Sequence, residues 1–447
     1  MKPYAFRCEL VFNHKIRDPI YGFVPLTDLE RDIIDTPIFQ RLRRIHQLAL
    51  TKYVYPSAEH SRFVHSIGVM HCASLIYEGI FNHAYTAKRD LLSPDKRSLQ
   101  MLRLAALLHD VGHLPFSHAA ENVLLPELIT HEDISSLIIK TYPPITDLMR
   151  KHTIDPDKVA SLLTKSPTVD MRVEHDIISG NIDADRADYL LRDSHNCGVC
   201  YGEYDFPRFL QMFAATIDET DYHYRIGVSE KDICLAESLL IARYHYNLQV
   251  PYHRTRSGYD IALKNFLGVT DLPQVLKKEN SGALTIDFCA FAKFDDYTVF
   301  EKAKESDSEW AAYMFRGNHL HPLLDTTSLR GHGEADYKTA VEWLCESGLE
   351  INKDFFTQTQ AVKILKGGVK ATEIEEDPGA QPDAKKPVGY RDDGLNLIQR
   401  DGSLVDICEH SWIFRQFNDN PLNIYRIYVR LADMEKCTTM LKAKAGQ

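Results

Sequence analysis

The chain has 447 residues, 44% of them hydrophobic, enough for two or three domain-sized units around a large core. Its net charge of −11, from 63 acidic against 52 basic residues, argues against nucleic acid as a partner, so an anionic substrate needs local cations. No apolar run reaches the roughly 20 residues of a membrane helix. The start, Met1-Lys2-Pro3-Tyr4, carries no apolar signal segment, and nine scattered cysteines suit reduced thiols. The expected setting is cytoplasmic, with a nuclear location left open and no membrane partner.

Residues 11–30 read as a short strand pair or turn leading into a helix, with Asp18-Pro19 and Tyr21-Gly22 as turn signals. Helical periodicity then dominates. Apolar residues recur at three- and four-residue spacing over 28–50, 66–84, 96–111, 131–141, 156–165, 170–194, 206–217, 229–268 and 334–349. Ser93-Pro94-Asp95 predicts the start of the helix that ends in Leu107-Leu108-His109-Asp110-Val111-Gly112-His113, and Gly112 suits the residue after its C-cap. Strand-like pieces are few: Tyr222–Val228, Ala361–Leu365 and Ile424–Val429. The stretch 367–394, rich in Pro, Gly, Asp, Glu and Lys, reads as a mobile linker. The expected fold class is mainly α: a helical core over 1–330, then a smaller α+β C-terminal lobe over 331–447. Cys197-Gly198-Val199-Cys200 is the single CxxC, read as two buried or idle thiols in a loop, with a redox switch as the sharper alternative.

The adjacent pair His109-Asp110 carries the chemistry. Burying both groups at a helix end is costly without a partner, and a divalent metal is the usual one. His65 in Ser61-Arg62-Phe63-Val64-His65-Ser66 and Asp185 in Asp183-Ala184-Asp185-Arg186 complete a set of two imidazoles and two carboxylates. Such a set accepts Mn, Fe, Mg, Ni or Zn and leaves positions for water and substrate. His113, His118 and His131, with Glu121, follow the pair closely. Thr130 reads as an N-cap ahead of His131, with Asp133 three residues on. A helix N-terminus disfavours a charged histidine and a nearby carboxylate favours it, which holds a proton-transfer histidine near neutrality. Arg62, Arg186 and Arg243 are local cations suited to phosphate oxygens.

These strings resemble the HD-domain metal-dependent phosphohydrolases, in the order His65, His109-Asp110, Asp185. Asp18–Gly22, Ile34–Arg43, Ser61–Ser66, His109–His118 and Asp183–Asp193 are similar to a narrower branch, the deoxynucleoside triphosphate triphosphohydrolases. That branch includes the bacterial dGTPase-like enzymes and the vertebrate enzyme that joins a SAM domain to an HD domain. The likeness covers most of residues 14–270 and no SAM domain precedes it. The resemblance implies one metal ion on His65, His109, Asp110 and Asp185, with room for a second ion bridging nucleotide phosphates. It implies catalysis by His131 supported by Glu121, which stands where relatives often have Asp, and phosphate contacts from His113 and His118. Arg62, Arg186 and Arg243 would bind the triphosphate. Gln47 and Asp193 would approach the sugar 3′-hydroxyl, and Leu48 and Tyr189 would leave little room for a 2′-hydroxyl. Base contacts are expected from Tyr252-His253-Arg254.

The implied reaction is hydrolysis of a dNTP to deoxynucleoside and inorganic triphosphate. The implied assembly is a homo-oligomer, a dimer or tetramer, with a GTP, dGTP or dNTP effector. Asp35, Gln40 and Arg43 match a guanine-reading site, and Arg208 and Lys231 match positions that hold effector phosphates. Ser229 stands where the vertebrate enzyme has an activator-site arginine. Two alternatives stay open: an HD phosphodiesterase or nucleotidase on another nucleotide, and a nucleotide-sensing subunit without catalysis.

Overall fold

The computed structural model describes residues 10–82, 95–164, 171–217, 223–279, 284–315, 319–329, 332–362, 364–365, 396–420 and 422–445. The expected linker 367–394, Ser93-Pro94 and Tyr222 lie outside them. A hairpin, β1 (His14–Asp18) and β2 (Gly22–Leu26), opens the chain. Its turn is shaped by Asp18, whose Oδ1 accepts from the backbone N–H groups of Ile20 and Tyr21 at 2.8 and 3.0 Å. Gly22 closes it at φ +82°.

The expected helix over 28–50 is broken. Thr27 caps α1 (Asp28–Ile34) through a capping box with Glu30, and Pro37 opens a separate short α2 (Pro37–Arg41). Proline lacks the N–H that would continue a helix but fits the first turn of a new one. The Glu30 carboxylate also meets buried Arg103 at 2.6 and 2.7 Å, fixing this segment against the core.

The long helix α3 (Arg62–Asn82) is the centre of the molecule. It packs against α4 (Lys96–Leu108), whose Asp95 N-cap accepts from Ser98 N. Four short helices follow: α5 (Glu121–Leu124), α6 (His131–Thr141), α7 (Pro143–Lys151) and α8 (Pro156–Ser161). The expected helix over 170–194 is two, α9 (Arg172–Ser179) and α10 (Ala184–Cys197), split where Gly180 turns out and Asp183 caps the second. α10 also packs against α3.

Only α11 (Phe206–Phe209) of the segment 206–217 is helical; Phe213–Ile217 is strand β3, paired with β4 (Tyr224–Ser229). Phe213-Ala214-Ala215-Thr216 is buried throughout, and a short continuous apolar run has no period that separates helix from strand. The stretch 229–268 is α12 (Ile233–Gln249) and α13 (Arg254–Val269), parted at Val250-Pro251.

The remainder contains β5 (Leu276–Lys278), β6 (Leu284–Ile286), α14 (Phe288–Phe291), α15 (Asp296–Lys304), α16 (Glu309–Tyr313), β7 (His321–Thr327) and α17 (Gly333–Glu346). β8 spans Phe355–Val362 rather than Ala361–Leu365, because its Thr and Gln positions hide the alternation. β9 (Asn396–Ile398), β10 (Leu404–Asp406), α18 (Ile407–His410), α19 (Trp412–Asp419), β11 (Leu422–Val429) and α20 (Met434–Ala445) complete the chain.

Two of the sheets organise the C-terminal part. β7-β11-β8 is antiparallel, with α17 and α20 packed around Leu344, Phe355, Ile427 and Val429. β9 instead pairs in parallel with β4, so residues 396–419 return to the helical part. The main core is one cluster from Val24 to Ile424. Among the described residues no helix is long and apolar enough to cross a membrane.

Candidate metal centre and the neighbouring histidine cluster

The α3–α4–α10 packing gathers four ligand-type groups from separated segments. His65 sits in the first turn of α3, His109 is the C-cap of α4 with Asp110 next to it, and Asp185 is in the first turn of α10. His65 Nε2 lies 3.0 Å from Asp185 Oδ1 and 3.7 Å from Asp110 Oδ2. His109 Nε2 lies 3.2 Å from Asp110 Oδ1 and 3.8 Å from Asp185 Oδ1. Both rings are aimed by their other nitrogen: His65 Nδ1 meets Asp188 Oδ2, and His109 Nδ1 meets the carbonyl of Ala106, each at 2.8 Å. About a third of the Asp185 side chain is open, while His65 and Asp110 are buried, so the recess opens on the α10 side.

The donors fit a divalent cation. His109 Nε2 is buried without a hydrogen-bond partner, although it faces two carboxylates. Two neutral imidazoles with a second partner behind each ring, and two carboxylates, form a set that N/O-preferring metals accept. Without a cation the charges settle among themselves. Burial alone would lower His65, but Asp185 and Asp188 outweigh it and raise it to about 10. Burial would raise Asp110, and Arg62 with His109 and His113 holds it well below the usual carboxylate range.

The expected role of Gly112 is corrected. It is absent from the positive-φ residues and does not serve as a left-handed helix terminator. It is a point of close approach instead. A Cβ there would lie 2.3 Å from the His131 carbonyl oxygen and 2.5 Å from Ser135 N. Gly112 N donates to Ser135 Oγ, which donates to the His109 carbonyl at 2.6 Å, so α6 is docked onto the His-Asp turn. Gly112→Ala is expected to destabilise the chain by about 1–3 kcal/mol, the usual cost of overpacking, read from urea unfolding.

That docking places a second cluster beside the first. His131 Nδ1 and His113 Nδ1 lie 2.9 and 3.2 Å from Glu121 Oε1, and His118 Nδ1 lies 2.9 Å from Oε2. The His113 and His131 rings stack at 3.7 Å. His113 Nε2 is 3.2 Å from Asp110 Oδ1, so its ring bridges the two clusters. Burial lowers His131, but the carboxylates of Glu121 and Glu132 outweigh it and leave its pKa raised. Burial, then Arg62 and His131, pushes His113 down to about 3. The turn between them is strained: Phe116 and Ser117 have φ of 58° and 51°. Asp296 holds it by accepting from Phe116 N at 2.7 Å, and fully buried Arg41 donates to the carbonyls of His113 and Phe294 at 2.6 Å.

The expected substrate residues lie in several separate places. Arg62 joins the centre directly, with Nη1 2.5 Å from Asp110 Oδ2 and Nε donating to Ser117 Oγ. Arg186 is tied back: Nη1 meets the Asp183 carboxylate and the Gly180 carbonyl, and with Arg243 it lines a small cavity of Asn181, Leu190, Leu239 and Phe414. Arg243 is lowered to about 10 by burial and then by Arg186. Asp193 accepts from His60 Nε2 at 2.7 Å and from the Tyr246 hydroxyl, while Tyr189 packs on Tyr246 with ring centroids 5.5 Å apart. Leu48 is buried, and Gln47 Oε1 is buried without a hydrogen-bond partner. His253 caps α13 and faces Tyr55.

The expected effector residues form two groups. Arg43 stacks 3.5 Å over Phe63 and binds Gln40 at 2.8 Å, with Asp35 exposed at the end of α1. Arg208 and Lys231 both approach Asp232, at 3.6 and 3.7 Å. Sequence reasoning missed Asp188, Arg192, His60, Tyr246, Ser117, Ser135, Arg41 and Asp296. Asp188 and Arg192 had a signal: they follow Asp185 at i+3 and i+7, on one helix face.

Residues 62–193, the span from Arg62 to Asp193, match the HD domain. An uncharacterized homolog of MG461 from Mycoplasma pneumoniae is 31% identical over 323 residues, covering 64% of this chain and 71% of that protein. The chain belongs to the HD-domain family. This HD protein is 38% identical over 249 residues to the uncharacterized MJ1154 of Methanocaldococcus jannaschii, covering 56% of the chain and 48% of that relative. It is 29% identical over 326 residues to the human deoxynucleoside triphosphate triphosphohydrolase SAMHD1, covering 65% of the chain and 51% of the enzyme. The HD chain thus spans about half the length of the first curated relatives it matches. A crystal structure of a hypothetical protein from Aquifex aeolicus superposes with a TM-score of 0.73 at 27% identity, covering 96% of this chain and 99% of that one.

Proposed function

We propose that this HD protein is a metal-dependent phosphohydrolase that splits deoxynucleoside triphosphates into deoxynucleoside and inorganic triphosphate. The observation that carries the reading is His113, whose ring stands between the candidate metal centre and the Glu121–His131 cluster, 3.2 Å from both Asp110 and Glu121. The similarity to SAMHD1 supports the choice of substrate. His65, His109, Asp110 and Asp185 would hold one divalent ion, with Mn, Fe, Mg, Ni or Zn as candidates. When bound, such an ion would supply Lewis-acid polarisation of a phosphate oxygen and acidify a water.

The chain's own groups supply the rest. Arg62 orients Asp110 and offers positive charge to non-bridging oxygens. Glu121 keeps the proton on His131, which delivers it to the departing 5′-oxygen. His113 stays neutral between the clusters, and exposed His118, held at Glu121, would contact the phosphates. Gln47, Leu48, Tyr189, Asp193 and His253 would enclose the nucleoside, with Arg243 on the triphosphate. Asp35, Gln40, Arg43, Arg208 and Lys231 would serve a nucleotide effector between subunits of a homo-oligomer.

A second reading, an HD phosphodiesterase or nucleotidase, is favoured by Arg186, whose guanidinium is occupied by Asp183 and Gly180 rather than free for a triphosphate. A panel of the four dNTPs and four NTPs, with Mn²⁺ and with or without GTP, separates them. Release of inorganic triphosphate from dNTPs is the expected result; monophosphate release alone would overturn the first reading and support the second.

A further inference from the structure

Behind His65 runs a chain of buried charges. His65 Nδ1 meets Asp188 Oδ2 at 2.8 Å. Asp188 receives both Nε and Nη2 of Arg192, at 2.8 and 2.9 Å, in a two-pronged contact. The remaining Arg192 nitrogen, Nη1, reaches Asp18 Oδ2 at 2.8 Å, and Asp18 Oδ1 is held by the backbone of the hairpin turn. Asp188 and Arg192 are fully buried and Asp18 is 3% exposed. One turn along α3 from His65, Gly68 leaves the space they occupy: a Cβ there would lie 2.0 Å from Asp188 Oδ1 and 2.2 Å from Arg192 Nη2.

Burying three charges costs free energy that a structural role alone repays poorly, since apolar side chains of similar size pack as well. The arrangement does something an apolar cluster cannot. A carboxylate on Nδ1 fixes the proton there, leaves the Nε2 lone pair facing Asp110 and Asp185, and makes the ring a stronger donor. The two-pronged arginine then fixes which way the carboxylate points, because its fork matches a carboxylate in one plane only.

We propose that Asp188, Arg192 and Asp18 are positioning residues that hold His65 as the Nδ1–H tautomer and thereby set the cation affinity of the centre, with Gly68 as the space that admits them. This rests on the metal-site reading above. The hairpin turn at Asp18 is thus joined to the centre through α10 and α3, across 174 residues of sequence between Asp18 and Arg192.

The test uses the full chain and the metal alone. Mn²⁺ affinity is measured by calorimetry for the unmodified chain, Asp188→Asn, Gly68→Ala and Asp18→Asn. The His65 ring nitrogens are followed by NMR in the Zn²⁺-loaded chain. The expected result is a loss of affinity of about 10–100-fold for Asp188→Asn and Gly68→Ala, and a smaller loss for Asp18→Asn. The loaded unmodified chain should carry its His65 proton on Nδ1. If the unmodified chain binds no Mn²⁺ or Zn²⁺, the metal-site reading fails and takes the proposal with it. If it binds and Asp188→Asn binds equally well, the positioning role alone is overturned. Should a variant not fold, a proton found on Nε2 of His65 in the loaded unmodified chain is enough to overturn it.

Discussion

Asp110→Ala is expected to abolish hydrolysis, with a fall of at least about a thousandfold, or about 4 kcal/mol of transition-state stabilisation. The reason is the number of groups that depend on one carboxylate. Asp110 faces His109 and His113 through Oδ1, and His65 and Arg62 through Oδ2. Removing it takes away a proposed ligand and leaves Arg62, with a side chain only 5% exposed, without its carboxylate. An uncompensated buried charge of this kind costs about 3–5 kcal/mol of stability. Two measurements separate these effects. In urea the metal-free variant should unfold earlier than the unmodified metal-free chain. With Mn²⁺, the unmodified chain should gain thermal stability by mass action and the variant should gain little. An unchanged Mn²⁺-dependent gain in the variant would remove Asp110 from the ligand set.

His131→Ala should behave differently: a rate lower by about 10²–10⁴-fold, the usual contribution of a general acid, with metal binding retained. His131 touches Glu121 and stacks on His113, in a cluster apart from His65, His109 and Asp185; because His113, His118, Glu121 and His131 could themselves hold a cation, metal content is compared with that of His109→Ala. The pH dependence gives a second readout. The folded-state pKa of His131 is raised because the carboxylates around it outweigh burial. The stability its pairing adds is therefore full below about pH 6.5, the ordinary histidine value, and is lost as pH rises through the raised value. His113 runs the other way. Pushed down to about 3 by burial and then by its cationic neighbours, it adds stability above about pH 6.5 that is lost as pH falls toward 3. In urea unfolding of the metal-free chain, the difference between the unmodified protein and His131→Ala should shrink as pH increases. The rate of the unmodified chain should fall over the same alkaline range, and the variant should lose that limb. A pH-independent difference would mean that His131 holds no proton at Glu121.

The helical character of the chain and several helix ends were legible because their causes are local. Thr130 with Asp133 forms the capping box that starts α6 at His131, as the spacing suggested. Asp95 caps α4, and the apolar period of α4 runs to the His-Asp pair. Where the prediction failed, an interruption was underweighted: Pro37 in 28–50, Gly180 in 170–194, Pro251 in 229–268. The strand at Phe213 is a different failure, since its pairing with β4 comes from tertiary contact rather than from its own four buried residues.

By itself the sequence determined which residues could carry chemistry and which of them are neighbours along one helix or turn. His109 and Asp110 are adjacent, His113 lies three residues on, and helical spacing puts Asp185, Asp188 and Arg192 on one face of α10. What only the tertiary structure decided is which partner each charged group found. His65 meets Asp188 across 123 residues and Arg62 meets Asp110 across 48. Arg186 turned inward to Asp183, Asp193 was taken by His60 and Tyr246, and Gly112 proved to be a packing contact rather than a helix terminator. The physical reason is that a buried charge is stable only beside a compensating group. That group is chosen by how α3, α4 and α10 pack, at a range where sequence spacing no longer fixes distance.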